Sequence, residues 1–294
     1  MAYSYSQLDT FQKCQKQYMY EYVHKEKRMF FNSVLEGTIV HKFLELLWGH
    51  TWEETTDLVI QQYGMYDKIK EIQEYLQRII PADFFKNTLE CEYQITFDIM
   101  GQQFKGFIDR LDKKEHTFEI IDYKYGVYEY NAWNLVNSLQ VDLYSYAIMQ
   151  QFHVDGVYFT YHNVKQNTMV TRYVKKQSIN VSNIIALIKA IENAKAKDYF
   201  PPQVSSLCSY CFFNNVCEDY KTWLNNEYKL TPDATLDDII EVISSFGNKR
   251  RIYENSEKKL KQFTHNWMQA QGLREYKGKQ KQLILSKDSV LIKG

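Results

Sequence analysis

The chain has 294 residues, 45% hydrophobic and 24% charged, enough to bury a sizeable core as one large domain or one domain with an appendage. Lysine plus arginine and aspartate plus glutamate both number 36, so a polyanion would have to be held by local patches or a metal and not by a global field. No apolar run approaches the roughly 18–20 residues of a membrane span, and the N-terminal Met-Ala-Tyr-Ser-Tyr-Ser has no basic region followed by an apolar core, so an intracellular, soluble protein is expected.

In chain order, residues 6–24 read as a helix, with Ser6 as N-cap, Asp9 three residues later, and Leu8, Phe11 and Tyr18 as an apolar stripe. Cys14 lies beside that stripe, a place that also suits a buried core thiol. A second helix covers 35–49 and carries His41, which by itself fits a hydrogen-bonded core position. A longer helix over 53–79 has Leu58, Ile69, Ile72 and Leu76 on its apolar side and ends before Pro81. Strands follow at 90–98, 103–111 and 117–124, the first two joined at Met100-Gly101-Gln102. Cys91 falls in the first of them and reads as packing. Then come a helix at 135–152, strands at 155–162 and 168–175 around the turn Lys165–Asn167, and a helix at 178–196. This pattern predicts an α/β fold: a small mixed central sheet flanked by helices.

Past Tyr220 the character changes. Thr235-Leu-Asp-Asp238 opens a long helical pattern with Leu236, Ile239, Ile240, Ile243, Phe246, Tyr253, Leu260, Phe263 and Trp267 on one stripe. From Phe246 to Gly294 there are twelve Lys/Arg against four Asp/Glu. Such runs suit a solvated helix face or a phosphate-tracking surface. Gln282–Ser286 and Ser289–Ile292 read as a terminal β-hairpin.

Two stretches carry chemistry. Gly106-Phe-Ile-Asp109 ends one strand, and Asp122-Tyr-Lys124 ends the next. Side chains at i and i+2 of a strand share a face, so Asp122 and Lys124 point the same way and Tyr123 the other. In a hairpin, Asp109 reaches the same place. Two carboxylates suit Mg²⁺ or Mn²⁺, and an adjacent ammonium can orient water and offset charge building on phosphate. Ordinary surface charges would give the same pattern, but charges at the ends of apolar strands are costly unless used.

Five cysteines in an intracellular chain argue against a disulfide framework. Cys208-x2-Cys211-x5-Cys217 offers three thiolates to one metal or cluster, with Cys14 or Cys91 as a fourth. Four cysteines satisfy either a [4Fe–4S] cluster or a structural zinc, and spacing does not choose between them.

Together these segments resemble the PD-(D/E)xK nuclease superfamily, and within it the RecB/AddB-like exonuclease branch with a four-cysteine iron–sulfur cluster, similar to CRISPR-associated iron–sulfur exonucleases. The likeness runs from Tyr5 to Tyr220. Tyr5–Tyr20 resembles the segment bearing the first cluster cysteine, with Gln15 where the family usually has proline. Gly37-Thr-Ile-Val-His41 resembles the G-x3-H motif, Gly106–Asp109 and Asp122–Lys124 the metal-binding core, and Gln140-Val-Asp-Leu-Tyr144 the Q-x3-Y helix.

The resemblance implies a restriction-endonuclease-like core over residues 1–220, its N- and C-terminal parts joined by the cluster, with a basic helical appendage over 221–294. It implies His41, Asp109, Asp122 and the Tyr123 carbonyl as ligands of Mg²⁺ or Mn²⁺. Lys124 would position the attacking water, with Gln140 and Tyr144 beside it or merely packed. Cys14, Cys208, Cys211 and Cys217 would hold a [4Fe–4S] cluster, with zinc as the alternative. Glu92, where the family often carries an acid on the first strand, is expected in a supporting salt bridge. The implied function is a metal-dependent deoxyribonuclease, an exonuclease on DNA ends or single strands. The other reading is a non-cleaving DNA-binding subunit of the same fold. No P-loop occurs, so a helicase or recombinase partner would be another chain.

Overall fold

A computed structural model of the chain describes residues 2–26, 35–225, 236–277, 282–286 and 289–293. The helices are α1 (Tyr5–Lys13), α2 (Gln15–Tyr18), α3 (Leu35–Leu47), α4 (Trp52–Tyr63), α5 (Tyr66–Ile79), α6 (Ala132–Val136), α7 (Leu139–Phe152), α8 (Val181–Lys197), α9 (Glu218–Asn225) and α10 (Leu236–Ala270). The strands are β1 (Thr88–Ile99), β2 (Gln102–Lys114), β3 (Thr117–Lys124), β4 (Gly156–Asn163), β5 (Thr168–Lys175), β6 (Glu275–Lys277), β7 (Gln282–Leu285) and β8 (Val290–Lys293). One compact unit comprises Met1–Lys13 and Ser33–Tyr199, a second Cys14–Asn32 and Phe200–Gly294.

The first unit is built on a five-stranded sheet in the order β1-β2-β3-β4-β5. β1, β2 and β3 are antiparallel neighbours, β3 and β4 run parallel, and β5 returns antiparallel to β4. The parallel pair needs a crossover, which α6 and α7 supply. At the β1–β2 turn Met100 and Gly101 both have positive φ (51° and 83°), the geometry that matches strand twist in a two-residue hairpin. The amide of Gly101 donates to Asp98 Oδ1 at 2.8 Å and closes the turn.

Three expected helices are divided. Ser4, not Ser6, accepts the Gln7 amide at 3.3 Å, and α1 stops at Lys13 because Cys14 is extended (φ −164°, ψ 113°). A π-helical turn, Met19–Val23, follows α2. The span read as one helix over 53–79 is α4 and α5, split where Gly64 takes left-handed φ 68° as a C-cap. Thr51 and Glu54 cap α4 reciprocally. In place of one helix over 135–152, Asn131 caps the short α6 and Ser138 caps α7, accepting from Val141 N at 3.3 Å.

Helices cover both faces of the sheet. On one, Ile39, Val40, Phe43 and Leu44 of α3, Val59 of α4 and Ile69, Ile72 and Leu76 of α5 pack with Ile121 and Tyr123 of β3. Full burial of side chains this size contributes roughly 1.5–3 kcal/mol each. On the other, α7 buries Val141, Leu143, Ala147 and Ile148. This is the α/β architecture expected from the sequence, with α3 and α7 bracketing β3.

In the second unit Tyr18 stacks near Phe200 (6.3 Å between centroids) and Tyr20 near Phe213 (5.4 Å). The chain end is a three-stranded antiparallel sheet, β6-β7-β8, and not a hairpin alone, because Glu275–Lys277 adds a strand to β7. Thr235, expected to open the long helix, lies outside the described residues. Among the described residues no helix is long and apolar enough to cross a membrane.

Candidate functional site

β2 and β3 are paired from Lys114–Thr117 up to Arg110–Ile121, and there their ladder stops, while β3 continues against β4 as far as Lys124–Asn163. The strands therefore fork at Asp109 and Asp122. The backbone amide of Tyr123, lacking a β2 carbonyl, donates instead to Asp109 Oδ2 at 2.7 Å. A carboxylate thus occupies the place of a strand partner. Asp109, expected at a strand end, lies inside β2, which runs on to Lys114, and the acid falls where the β2–β3 ladder stops.

α3 delivers His41 to this fork, its Nδ1 lying 3.4 Å from Asp109 Oδ2. Burial alone would lower the His41 pKa, but the hydrogen bond and charge of Asp109, with Asp122 behind it, raise it. On the other side, Lys124 Nζ lies 2.6 Å from Asp122 Oδ2. Burial, the largest single influence, opposes the ammonium form of Lys124. The charge and hydrogen bond of Asp122, with Tyr161 and Tyr5, together outweigh it, so the pKa rises and the nitrogen stays protonated. α7 adds Gln140, whose Nε2 donates to Asp122 Oδ1 and whose Oε1 accepts from Lys124 Nζ at 3.2 Å. One turn further, Tyr144 fits over Gly106, and its ring meets Tyr5 edge-on at 6.2 Å. Asp122 is buried, which pushes its carboxyl pKa up against the pull of Lys124.

His41, Asp109, Asp122, Tyr123, Lys124, Gln140 and Tyr144 are thus joined by these contacts within the first unit. Among the described residues, no three His, Cys, Asp or Glu side chains converge on one metal position. The carboxylates are instead engaged by Tyr123 N, His41, Gln140 and Lys124. Asp122 Oδ2 nevertheless fits a cation: it is buried and, beyond the Lys124 ion pair, has no hydrogen bond of ordinary geometry. By type, two carboxylates and a borderline imidazole suit a divalent ion, although the three do not meet at one position among the described residues.

Glu92 departs from expectation. It makes no ion pair among the described residues, and its backbone sits at φ 51° inside β1, a conformation that a non-glycine residue adopts at a cost. Its neighbours Cys91 and Tyr93 pair with Arg110 and Ile108, which sets it across from Asp109. Burial, then the charges of Asp109 and Glu45, push its carboxyl up to about 7. Nothing in the local sequence signals that bend. The sequence also gave no warning of Tyr161, whose ring centre lies 4.9 Å from Lys124 Nζ.

In the second unit Cys14, Cys208, Cys211 and Cys217 line one small cavity, together with Tyr20, Phe213 and Tyr220. Each sulfur receives a backbone amide: Gln203 N to Cys14 at 3.5 Å, Ser205 N to Cys208 at 3.4 Å, Phe213 N to Cys211, and Tyr220 N and Asp219 N to Cys217. Burial raises the Cys211 thiol to about 11 and also lifts Cys208 and Cys217. Amides aimed at sulfur favour thiolates but are outweighed by burial. Four thiols are by type donors for a thiophilic metal or cluster, although they do not meet as a metal-holding group among the described residues. Cys91 lies in the first unit, buried in β1.

Residues 2–218 match the sequence profile of the PD-(D/E)XK nuclease superfamily. The chain belongs to this superfamily. Nucleases of the PD-(D/E)XK superfamily typically use divalent metals such as Mg²⁺ or Mn²⁺, and a nuclease fold implies DNA as substrate. A solved structure of a candidate exonuclease from Eubacterium rectale is similar at TM-score 0.49 and 14% identity, covering 81% of this PD-(D/E)XK chain and 92% of that one. The structure of SSO0001 is similar at TM-score 0.38 and 12% identity, with 74% and 86% covered. No curated protein sequence matches the chain.

Proposed function

We propose that this PD-(D/E)XK protein is a metal-dependent deoxyribonuclease of the RecB/AddB-like branch, an exonuclease acting on DNA ends or single strands in recombination, repair or replication. The observation that carries the reading is the fork between β2 and β3, where His41, Asp109, Asp122 and Lys124 are linked through contacts of 2.6–3.4 Å.

His41, Asp109, Asp122 and the Tyr123 carbonyl are the residues that would hold Mg²⁺ or Mn²⁺. When bound, such an ion polarises the scissile phosphate and makes water a better nucleophile. The protein's own groups do the rest. Lys124, fixed as an ammonium by Asp122, donates to the attacking water and to a phosphate oxygen, offsetting charge as it builds. Gln140 grips Asp122 and Lys124 at once and keeps their spacing. Tyr144, against Gly106, backs the first turn of α7. His41, held at 3.4 Å from Asp109, would offer the ion a neutral imidazole nitrogen.

The four cysteines are proposed to hold a [4Fe–4S] cluster, with zinc as the alternative, in a structural role. The nuclease domain is proposed to span 1–220, with a basic appendage at 221–294. The end of the family match at residue 218 supports this division, whereas the compact units divide the chain after Tyr199. A helicase or recombinase would act with it as a separate chain.

End-labelled single- and double-stranded DNA incubated with Mn²⁺, Mg²⁺ or EDTA tests the assignment. Asp122→Ala and Lys124→Ala are each expected to reduce cleavage at least about 100-fold, the size of effect seen when a charge-stabilising group is removed. Undiminished cleavage by both variants removes the assignment. DNA binding with no cleavage in either metal identifies a non-cleaving DNA-binding subunit instead.

A further inference from the structure

A file of aromatic rings leads outward from Lys124. The ammonium lies 4.9 Å from the centre of the Tyr161 ring, Tyr161 lies 5.1 Å from Tyr130, and Tyr130 lies 4.9 Å from Tyr128. Exposure rises along the file, from 5% at Tyr161 to 55% at Tyr128, and Trp133 on the adjoining α6 is 69% exposed. Large rings left in water beside a functional site mark a surface that something covers.

The segment carrying these rings is fastened in place. Asn163 Nδ2 donates to the carbonyls of Gly126 at 3.0 Å and Tyr128 at 2.8 Å, and Gln166 Nε2 donates to Val127 O at 2.9 Å. Asn134 Nδ2 donates to the Tyr128 hydroxyl at 2.9 Å, and the Asn131–Asn134 capping box closes the start of α6, where Trp133 sits. Polar side chains therefore hold the loop backbone in addition to the ring-on-ring contacts, so the exposed ring faces are fixed in place. Rings fixed before binding lose little freedom when a ligand arrives.

Position selects the occupant. The file starts at Lys124, the ammonium assigned above to the scissile phosphate, so nucleotides next to that phosphate would be led past Tyr130 and Tyr128. Every unpaired base has a π-face that stacks on such rings whatever its sequence, whereas a paired base keeps its faces in the duplex. We propose that Tyr128 and Trp133 form a base-stacking subsite that holds unpaired bases flanking the cleaved phosphodiester and so favours frayed or single-stranded ends over paired ones. The proposal rests on the nuclease reading of the fork.

Binding measured in EDTA separates the subsite from hydrolysis. A fluorescently labelled single-stranded oligothymidylate is titrated with the wild-type protein and with Tyr128→Ala, Trp133→Ala and Trp133→Phe, alongside a strand with the same phosphates but abasic sugars. Both alanine variants should bind the oligothymidylate about 5- to 100-fold more weakly, and Trp133→Phe close to wild type. The abasic strand should bind wild-type protein weakly and respond little to the substitutions. Unchanged oligothymidylate binding by both alanine variants overturns the subsite and leaves the exposed rings as a protein-docking face. An abasic strand weakened as much as the oligothymidylate also overturns it, because base stacking would then play no part. Weakened binding without cleavage in any metal would keep the subsite and remove the nuclease reading. Cleavage with unchanged binding would do the reverse.

Discussion

A Cβ at Gly106 would lie 3.2 Å from Cε1 and 3.4 Å from the hydroxyl of Tyr144. The glycine of β2 and the tyrosine of α7 are therefore matched in shape, and the side of α7 that carries Gln140 is set by that fit. Gly106→Ala is expected to push Tyr144 back by a few tenths of an ångström. The resulting strain, about 1 kcal/mol, should lower the melting temperature by a few degrees. Cleavage should fall about tenfold, more than the melting shift suggests, because Gln140 moves with the helix; parallel melting and rate measurements check this.

Gln140 is the only described side chain that hydrogen-bonds both Asp122 and Lys124. Gln140→Leu keeps the volume and removes both contacts. Single-turnover cleavage by the folded protein should fall about 10- to 100-fold, since a positioning loss acts on the reacting state. The melting temperature should fall by a few degrees, because buried Asp122 Oδ1 loses its amide donor. A rate within twofold of wild type would show that the Asp122–Lys124 pair holds itself.

Arg110 and Asp112 form a buried ion pair behind the site. The guanidinium Nε lies 2.6 Å from Asp112 Oδ1, and its carbon lies 4.5 Å from the Phe84 ring centre. Asp112→Ala leaves a buried cation without its carboxylate and should cost about 3–5 kcal/mol in urea unfolding. Replacing both residues by apolar ones of similar volume should cost much less.

His162 is buried with neither ring nitrogen hydrogen-bonded, beside Tyr123 and Phe84. Burial, then the charge of Arg110, lowers its pKa from 6.5 to about 4. The unfolded chain takes up a proton as pH falls through 6.5, and the folded chain does not until about 4. Stability is thus untouched above pH 6.5 and falls progressively toward pH 4, by about 3 kcal/mol at most. Comparing urea unfolding at neutral and acid pH for wild type and His162→Phe isolates this share from that of the carboxylates; equal pH slopes would refute it.

Removing one sulfur should release whatever the cysteines hold. Cys211→Ser is expected to lose bound iron or zinc by elemental analysis and to lower the melting temperature. Cys91→Ser should leave metal content unchanged, because Cys91 lies in the first unit and not in the cavity lined by the other four. A brown wild-type protein points to an iron–sulfur cluster and a colourless one to zinc.

The elements were legible where hydrophobic periodicity was unambiguous, as in β1 to β5 and α8. Divisions within helices were less so. Gly64 is a visible breaker inside an otherwise helical pattern, but Cys14 has no such mark, and its extended backbone is set by what surrounds it. The candidate site was legible as chemistry in part: Asp109, Asp122 and Lys124 stood out by type and spacing, whereas His41 by itself fits a core histidine and enters only through the family resemblance. The bend at Glu92, the Tyr161 contact and the ring file were not, because they depend on which strand ends a ladder and which loop is tied to Asn163.

Local pattern alone determined that this chain alternates strands and helices, with Asp122 and Lys124 sharing a face at the end of one strand and Asp109 on its neighbour, because side-chain period follows directly from backbone geometry. Only the tertiary structure decided that β2 and β3 part at those acids, that α3 brings an imidazole to one of them and α7 an amide to the other. It also decided that four sulfurs share one cavity. Those meetings join residues far apart in number, and no short window of sequence encodes the packing that closes the distance.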